Sequence, residues 1–135
     1  MRILLMLAAV FSLSIDAMAA NNCNRGTDEV LSVKEWSIEP IDNRTNLLTV
    51  TYSSTLPKPV RMIDASAGFI DALGGEIGRF TLERDVTLSV GREHTETGRW
   101  GLFTFERLLT LRHEEVQTFV CTRSVLYSDG TKEEF

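Results

Sequence analysis

Side chains able to carry chemistry are scarce in this chain. Its 135 residues include two histidines, His94 and His113, so a zinc site built from three imidazoles within one chain is excluded. The two cysteines, Cys23 and Cys121, stand far apart, which removes both a CxxC redox pair and a four-thiolate metal site. No GxSxG elbow, glycine-rich phosphate loop, HExxH or twelve-residue calcium loop occurs, and "SDGTKEE" is too short for the last of these. Positive charge is thin as well. The formal net charge is −5, and the basic residues are scattered, with Lys58 and Arg61 the nearest approach to a cluster. Nothing in that balance draws the chain to nucleic acid.

Only one long apolar run is present, at the N-terminus. "MRILLMLAAVFSLSIDAMAA" begins with Arg2, continues through Ile3 to Leu13 and ends in Ala17-Met18-Ala19. A basic start, an apolar core and a small-x-small site form the pattern of a secretory signal peptide. The run is too short for a membrane span, which needs about 20 apolar residues, and no other segment approaches that length. The reading is therefore a leader over residues 1–19 with cleavage near Ala19, then one domain over 20–135 placed in the periplasm or secreted. Loss of Arg2 and Asp16 with the leader leaves the net charge unchanged. In an exported chain an even cysteine count predicts a Cys23–Cys121 disulfide, closing a loop of about 100 residues and pinning the N-terminal tail to a late strand.

Alternation of apolar and polar residues fills most of the remainder. "VLSVKEWSIEP" presents Val33, Trp36 and Ile38 with room for a bulge, and "NLLTVTYSS" puts Leu48, Val50 and Tyr52 on one face. "TLPKP" is a loop, because two prolines so close cannot sit in a central ladder. In "RMIDASAGFIDALGGEIG" the inward face is Ile63, Ala65, Ala67 and Phe69, and "DALGG" is a hairpin turn. "EIGRFTLER" returns with Ile77, Phe80 and Leu82, and "DVTLSVG" alternates Val86, Leu88 and Val90. "REHTETGRW" reads as a polar bend toward Trp100. "LFTFERLLTL" fits either a short helix or two broken strands, and "RHEEV" fits a single helical turn. In the final strand, Phe119, Cys121, Arg123, Val125 and Tyr127 fall on one face, before an Asp129-Gly130 turn and a brief last strand or tail. About seven short strands with turns every 8 to 12 residues predict an all-β sandwich of immunoglobulin-like or fibronectin-like build.

Acids in the hairpin segment do not make a catalytic pair. Asp64 and Asp71 are an odd number of residues apart, hence on opposite faces and roughly 23 Å apart along a strand. Asp71 is placed to cap the turn through its carboxylate, and Asp64 to accept an ion pair from Arg61 or another base. A mixed metal site drawing on His94, His113, Glu114 and the nearby Glu93, Glu96 and Glu115 has no recognised ligand spacing. No cofactor is expected. Asn43-Arg44-Thr45 is formally a glycosylation acceptor, which matters only in a host with that machinery. Among the aromatics Trp36, Trp100, Phe103 and Phe105, most belong to the core by default. Trp100 beside Gly98, Arg99 and Gly101, with Phe103 close by, is the candidate contact for a partner.

The segment Leu48–Val90 resembles the small extracellular β-sandwich domains of the FxLYD kind, through "LTVTYSSTLPKPV", "GFIDALGGEIG" and "DVTLSVG". Phe69, Asp71, Gly74 and Ile77 fall where that pattern is emphasised. The proline it places before Gly91 is replaced by Val90. The ending "YSDGTKEEF" is similar to the ends of small periplasmic proteins of Gram-negative bacteria. The resemblance implies an immunoglobulin-like or fibronectin-like fold and is silent on activity.

Three functional expectations follow. The first is an exported, non-enzymatic domain acting by contact with a protein or another envelope component, through an exposed aromatic or by edge-strand pairing with the final strand or the "NLLTVTY" strand as acceptor. The second is a metal-binding protein or enzyme whose His94, His113 and neighbouring glutamates converge within about 5 Å. The third is a carrier with a pocket between the sheets lined by Trp100, Phe103 and Phe105.

Overall fold

The computed structural model of the chain describes residues 22–135, and the expected leader, residues 1–19, lies outside them. Among the described residues seven strands follow in order: β1 (Leu31–Pro40), β2 (Thr45–Ser54), β3 (Val60–Asp71), β4 (Glu76–Thr81), β5 (Glu93–Gly101), β6 (Val116–Tyr127) and β7 (Lys132–Glu134). Two short 3₁₀ turns, Glu106–Leu109 and His113–Glu115, break the β5–β6 connection. All pairings are antiparallel. One sheet runs β1-β2-β5 and the other β4-β3-β6-β7, so the chain changes sheet after β2, β4 and β5. A three-on-four arrangement of antiparallel strands is the all-β sandwich that the strand count implied.

The core forms because the inner faces alternate as expected. On β2, Leu48, Val50 and Tyr52 are buried, and on β3 so are Ile63, Ala65, Ala67 and Phe69. These residues collect into two apolar clusters stacked along the sandwich. One holds Leu31, Tyr52, Val60, Leu82 and Tyr127, and the other Trp36, Leu48, Phe69, Phe105 and Val116. The second lies beneath the β1–β2 turn, the β3–β4 turn and the β5–β6 connection, which share one end of the molecule.

A disulfide joins Cys23 to Cys121 across a sequence separation of 98 residues. Thr27 exchanges backbone hydrogen bonds with Thr122 at 2.9 and 2.8 Å beside it, so the tail is tied to β6 as expected. The bridge rests on the outer face of its sheet with Ile70 and Phe119.

Three segments depart from the sequence reading. "REHTETGRW" is no bend. It is the edge strand β5, with His94, Glu96, Gly98 and Trp100 turned inward and the residues between them exposed. "DVTLSVG" is not a regular strand. Its Leu88 bridges Val60 through two backbone bonds, Val86 and Leu88 are buried, and Val90 is exposed. On β6 the pairing slips, Asp64 standing opposite Ser124 and Ala65 opposite Thr122, so Arg123 is an extra residue. That bulge changes the parity of the strand. Val120 therefore shares the core with Val125 and Tyr127, while Phe119 and Cys121 face outward.

Candidate functional sites

Asp71 performs the structural task expected of it. Its Oδ1 accepts hydrogen bonds from the backbone N–H of Leu73 at 3.0 Å and of Gly75 at 2.9 Å, while Gly74 takes a φ of 83° at the tip. Arg107, from the β5–β6 connection, donates to Asp71 Oδ2 at 2.9 Å and so ties two loops of one end together. The Gly75 N–H, then the Arg107 guanidinium, then the Leu73 N–H hold the Asp71 carboxyl below its ordinary value of 3.8. A depressed carboxyl contributes stability that is fully present above about pH 4 and is lost as pH falls through its folded value. Acid unfolding of wild type and Asp71→Asn checks this. The wild type is expected to lose its advantage below about pH 4, where the two curves converge. Asp64, on the opposite face, accepts from Arg123 Nη2 at 2.5 Å, with Arg84 at 3.7 Å, so another base took the place offered to Arg61.

The expected convergence of His94, His113 and Glu114 does not occur. The ring of His113 stacks on Trp36 with centroids 4.0 Å apart, and among the described residues it joins no group of three potential ligands. His94 faces inward from β5, opposite Tyr52, and lies edge-on to that ring at 5.5 Å. It gathers instead with Glu83 and Glu96, and one ligand atom from each of the three falls within 4.8 Å of the others. Glu83 comes from the chain leaving β4, across the open edge of the sandwich. Its backbone N–H donates to Glu96 Oε1 at 2.9 Å, and the Tyr52 hydroxyl donates to the same oxygen at 3.1 Å. Burial raises the Glu96 carboxyl above its ordinary value, and these two hydrogen bonds offset that only in part. Burial, and then the Glu96 charge, pushes the Tyr52 hydroxyl well up.

This cluster stands at the mouth of a groove of about 380 Å³ between the edge strands β4 and β5, lined by Leu48, Val50, Phe80, Glu83, Glu96 and Trp100. It is not the expected pocket. Phe105 is 0% exposed and belongs to the core, and Phe103 is 81% exposed, away from the groove. Of the candidate contact residues, Trp100 is half-buried against Phe80 and Phe105, Arg99 points to solvent on the outer face of β5, and Phe103 stands free.

The most uneven feature of the surface is its distribution of large apolar side chains. Among the described residues seven are exposed, and five of them, Ile41, Leu73, Leu102, Phe103 and Leu109, sit on the three loops of one end. Leu73, at the tip of the β3–β4 turn, is 98% exposed. Sequence reasoning found Phe103 and missed Leu73, which looked like an ordinary turn residue. Only the topology brings its loop to the end that carries Phe103.

Compared with protein-family models and with curated proteins, the chain finds no match in either.

Proposed function

We propose that the chain is an exported, non-enzymatic interaction module that binds a protein of the cell envelope through the loop end carrying Ile41, Leu73, Leu102, Phe103 and Leu109. One observation carries the reading, namely the gathering of exposed apolar side chains on that end. Apolar side chains scattered singly are ordinary, but a concentrated set held in water marks a contact surface. Loops set on a rigid sandwich are where such surfaces are commonly built. The disulfide between distant cysteines agrees with an oxidising compartment. No helix among the described residues is long and apolar enough to cross a membrane. A net charge of −5 opposes attachment to an anionic lipid surface, so a protein is the favoured occupant.

Phe103 is the anchor in this reading and Leu73 its companion. Phe103→Asp and Leu73→Asp are expected to leave stability within about 0.5 kcal/mol of wild type, since both side chains are exposed. Each is expected to cut capture of the partner from the envelope fraction about thirty-fold or more, the effect of losing a hot spot of about 2 kcal/mol. A quantitative crosslinking pull-down checks it. Equal capture by both variants and wild type overturns the assignment of the surface.

A further inference from the structure

We propose that Glu83, His94 and Glu96 form a divalent transition-metal site that staples the exit of β4 to edge strand β5. The inference goes beyond the loop-end reading and shares no residue with it. Two carboxylates converge here, yet no lysine or arginine makes an ion pair with either among the described residues. The Nε2 of His94 is closed off from solvent and has no hydrogen-bond partner. With no lysine or arginine paired to either acid among the described residues, the His94 imidazole is the one base facing two carboxylates, and a divalent cation held by all three balances both negative charges.

An inward-pointing charge on an edge strand also discourages sheet-to-sheet aggregation. That role explains one acid on β5. It does not explain why Glu83 arrives from the other sheet to meet it. The arrangement around Glu96 is that of an oriented ligand. Its Oε1 is held by the Tyr52 hydroxyl and the Glu83 N–H, which leaves the second oxygen for a metal.

The donor set selects the ion. Imidazole and carboxylate without thiolate suit Zn²⁺ and its neighbours Co²⁺ and Ni²⁺, whereas Ca²⁺ asks for six or more oxygens and Mg²⁺ keeps most of its water. Tetrahedral bonds of about 2.1 Å place ligand atoms about 3.4 Å apart. Rotation of the exposed Glu83 side chain covers much of the difference from the 4.8 Å limit. The metal then bridges the two sheets at the edge where no ladder joins them.

The test is calorimetric titration of chelator-treated, disulfide-bonded protein with Zn²⁺, supported by the visible absorption of added Co²⁺. One saturable site per chain is expected, with a rise in melting temperature. Glu83→Gln and His94→Gln are each expected to weaken binding at least about tenfold and to abolish the Co²⁺ spectrum. Tyr52→Phe, which removes one of the two bonds orienting Glu96, is expected to cost about tenfold. His113→Gln is expected to bind as wild type. Glu83 is exposed, so its variant keeps the fold and decides the matter if His94→Gln does not. Absence of a saturable site in the wild type overturns the proposal, as does wild-type affinity in a folded Glu83→Gln or loss of binding in His113→Gln.

Discussion

Phe105→Ala is expected to lower the unfolding free energy by about 3–5 kcal/mol, the cost of deleting a fully buried aromatic ring and leaving a cavity. Phe105 belongs to no strand. It enters from the β5–β6 connection and is 0% exposed, with ring centroids 5.2 Å from Trp100 and 5.9 Å from both Phe69 and Phe80. Those rings come from β5, β3 and β4, so a single loop residue ties both sheets together. The fit leaves no slack. A Cβ built on Gly78 would come within 2.5 Å of the Phe105 ring, which is why the chain carries glycine there. A domain of this size has roughly 5–15 kcal/mol of stability in all, so the variant is expected to be near its limit at 37 °C. Urea unfolding followed by tryptophan fluorescence measures the loss. A change below about 1 kcal/mol would mean that the connection is held by something other than this ring. Partner capture is expected to weaken too, because the ring anchors the loop that presents Phe103 and Leu109.

Replacing both cysteines by serine is expected to cost a comparable amount, about 4–5 kcal/mol in the chain-entropy account for a loop of about 100 residues. The bridge joins positions 98 residues apart, so the loop it closes is a long one. Its effect falls mainly on the unfolded chain, whose freedom it restricts. The folded state contributes as well. Cys23 packs against the cluster of Ile70, Phe119 and Cys121, and the Arg79 guanidinium lies 4.8 Å over Phe119 and donates to the Asn22 carbonyl at 3.1 Å. Losing the bridge therefore frees a tail that covers apolar surface on the outer face of β3 and β6. Parallel urea titrations of the wild type and the double serine variant check it, with the m-value expected to rise in the variant as its unfolded state expands. Equal midpoints and equal m-values would show that the bridge does not restrict the unfolded chain and would contradict this account.

How far the fold could be read from the sequence follows from where each strand sits. The central strands β2 and β3 show clean alternation because their inner faces meet apolar neighbours along their whole length. Strand β5 was illegible for the opposite reason. It is an edge strand whose inward positions are His94, Glu96, Gly98 and Trp100, so hydrophobic periodicity is nearly absent although the side-chain period is intact. The "DVTLSVG" segment shows the converse error. Its alternation reports burial of Val86 and Leu88 correctly, but burial alone does not make a ladder, and only Leu88 bridges the neighbouring strand. On β6 one inserted residue at Arg123 was enough to exchange the faces, and nothing local in "VCTRSV" announces it.

The candidate sites were legible only in pieces. Asp71 as the cap of its own turn is a local matter and was readable from "DALGG". The pairing of positions 94 and 96 on one face follows from the period of a strand, once the segment is known to be one. Glu83 meets them across the gap between sheets, a contact between residues from different layers that spacing cannot reveal. The same is true of Leu73 and Phe103, whose common end of the molecule is a product of topology.

The claim that the loop end is the working surface is tested most directly by placing a photo-activated crosslinking residue at position 103, and separately at position 129 in the β6–β7 turn of the opposite end. Irradiation in intact cells is expected to give one discrete protein adduct from position 103, abolished when Leu73→Asp is added, and none from position 129. No adduct from position 103, or the same adducts from both ends, would contradict the account.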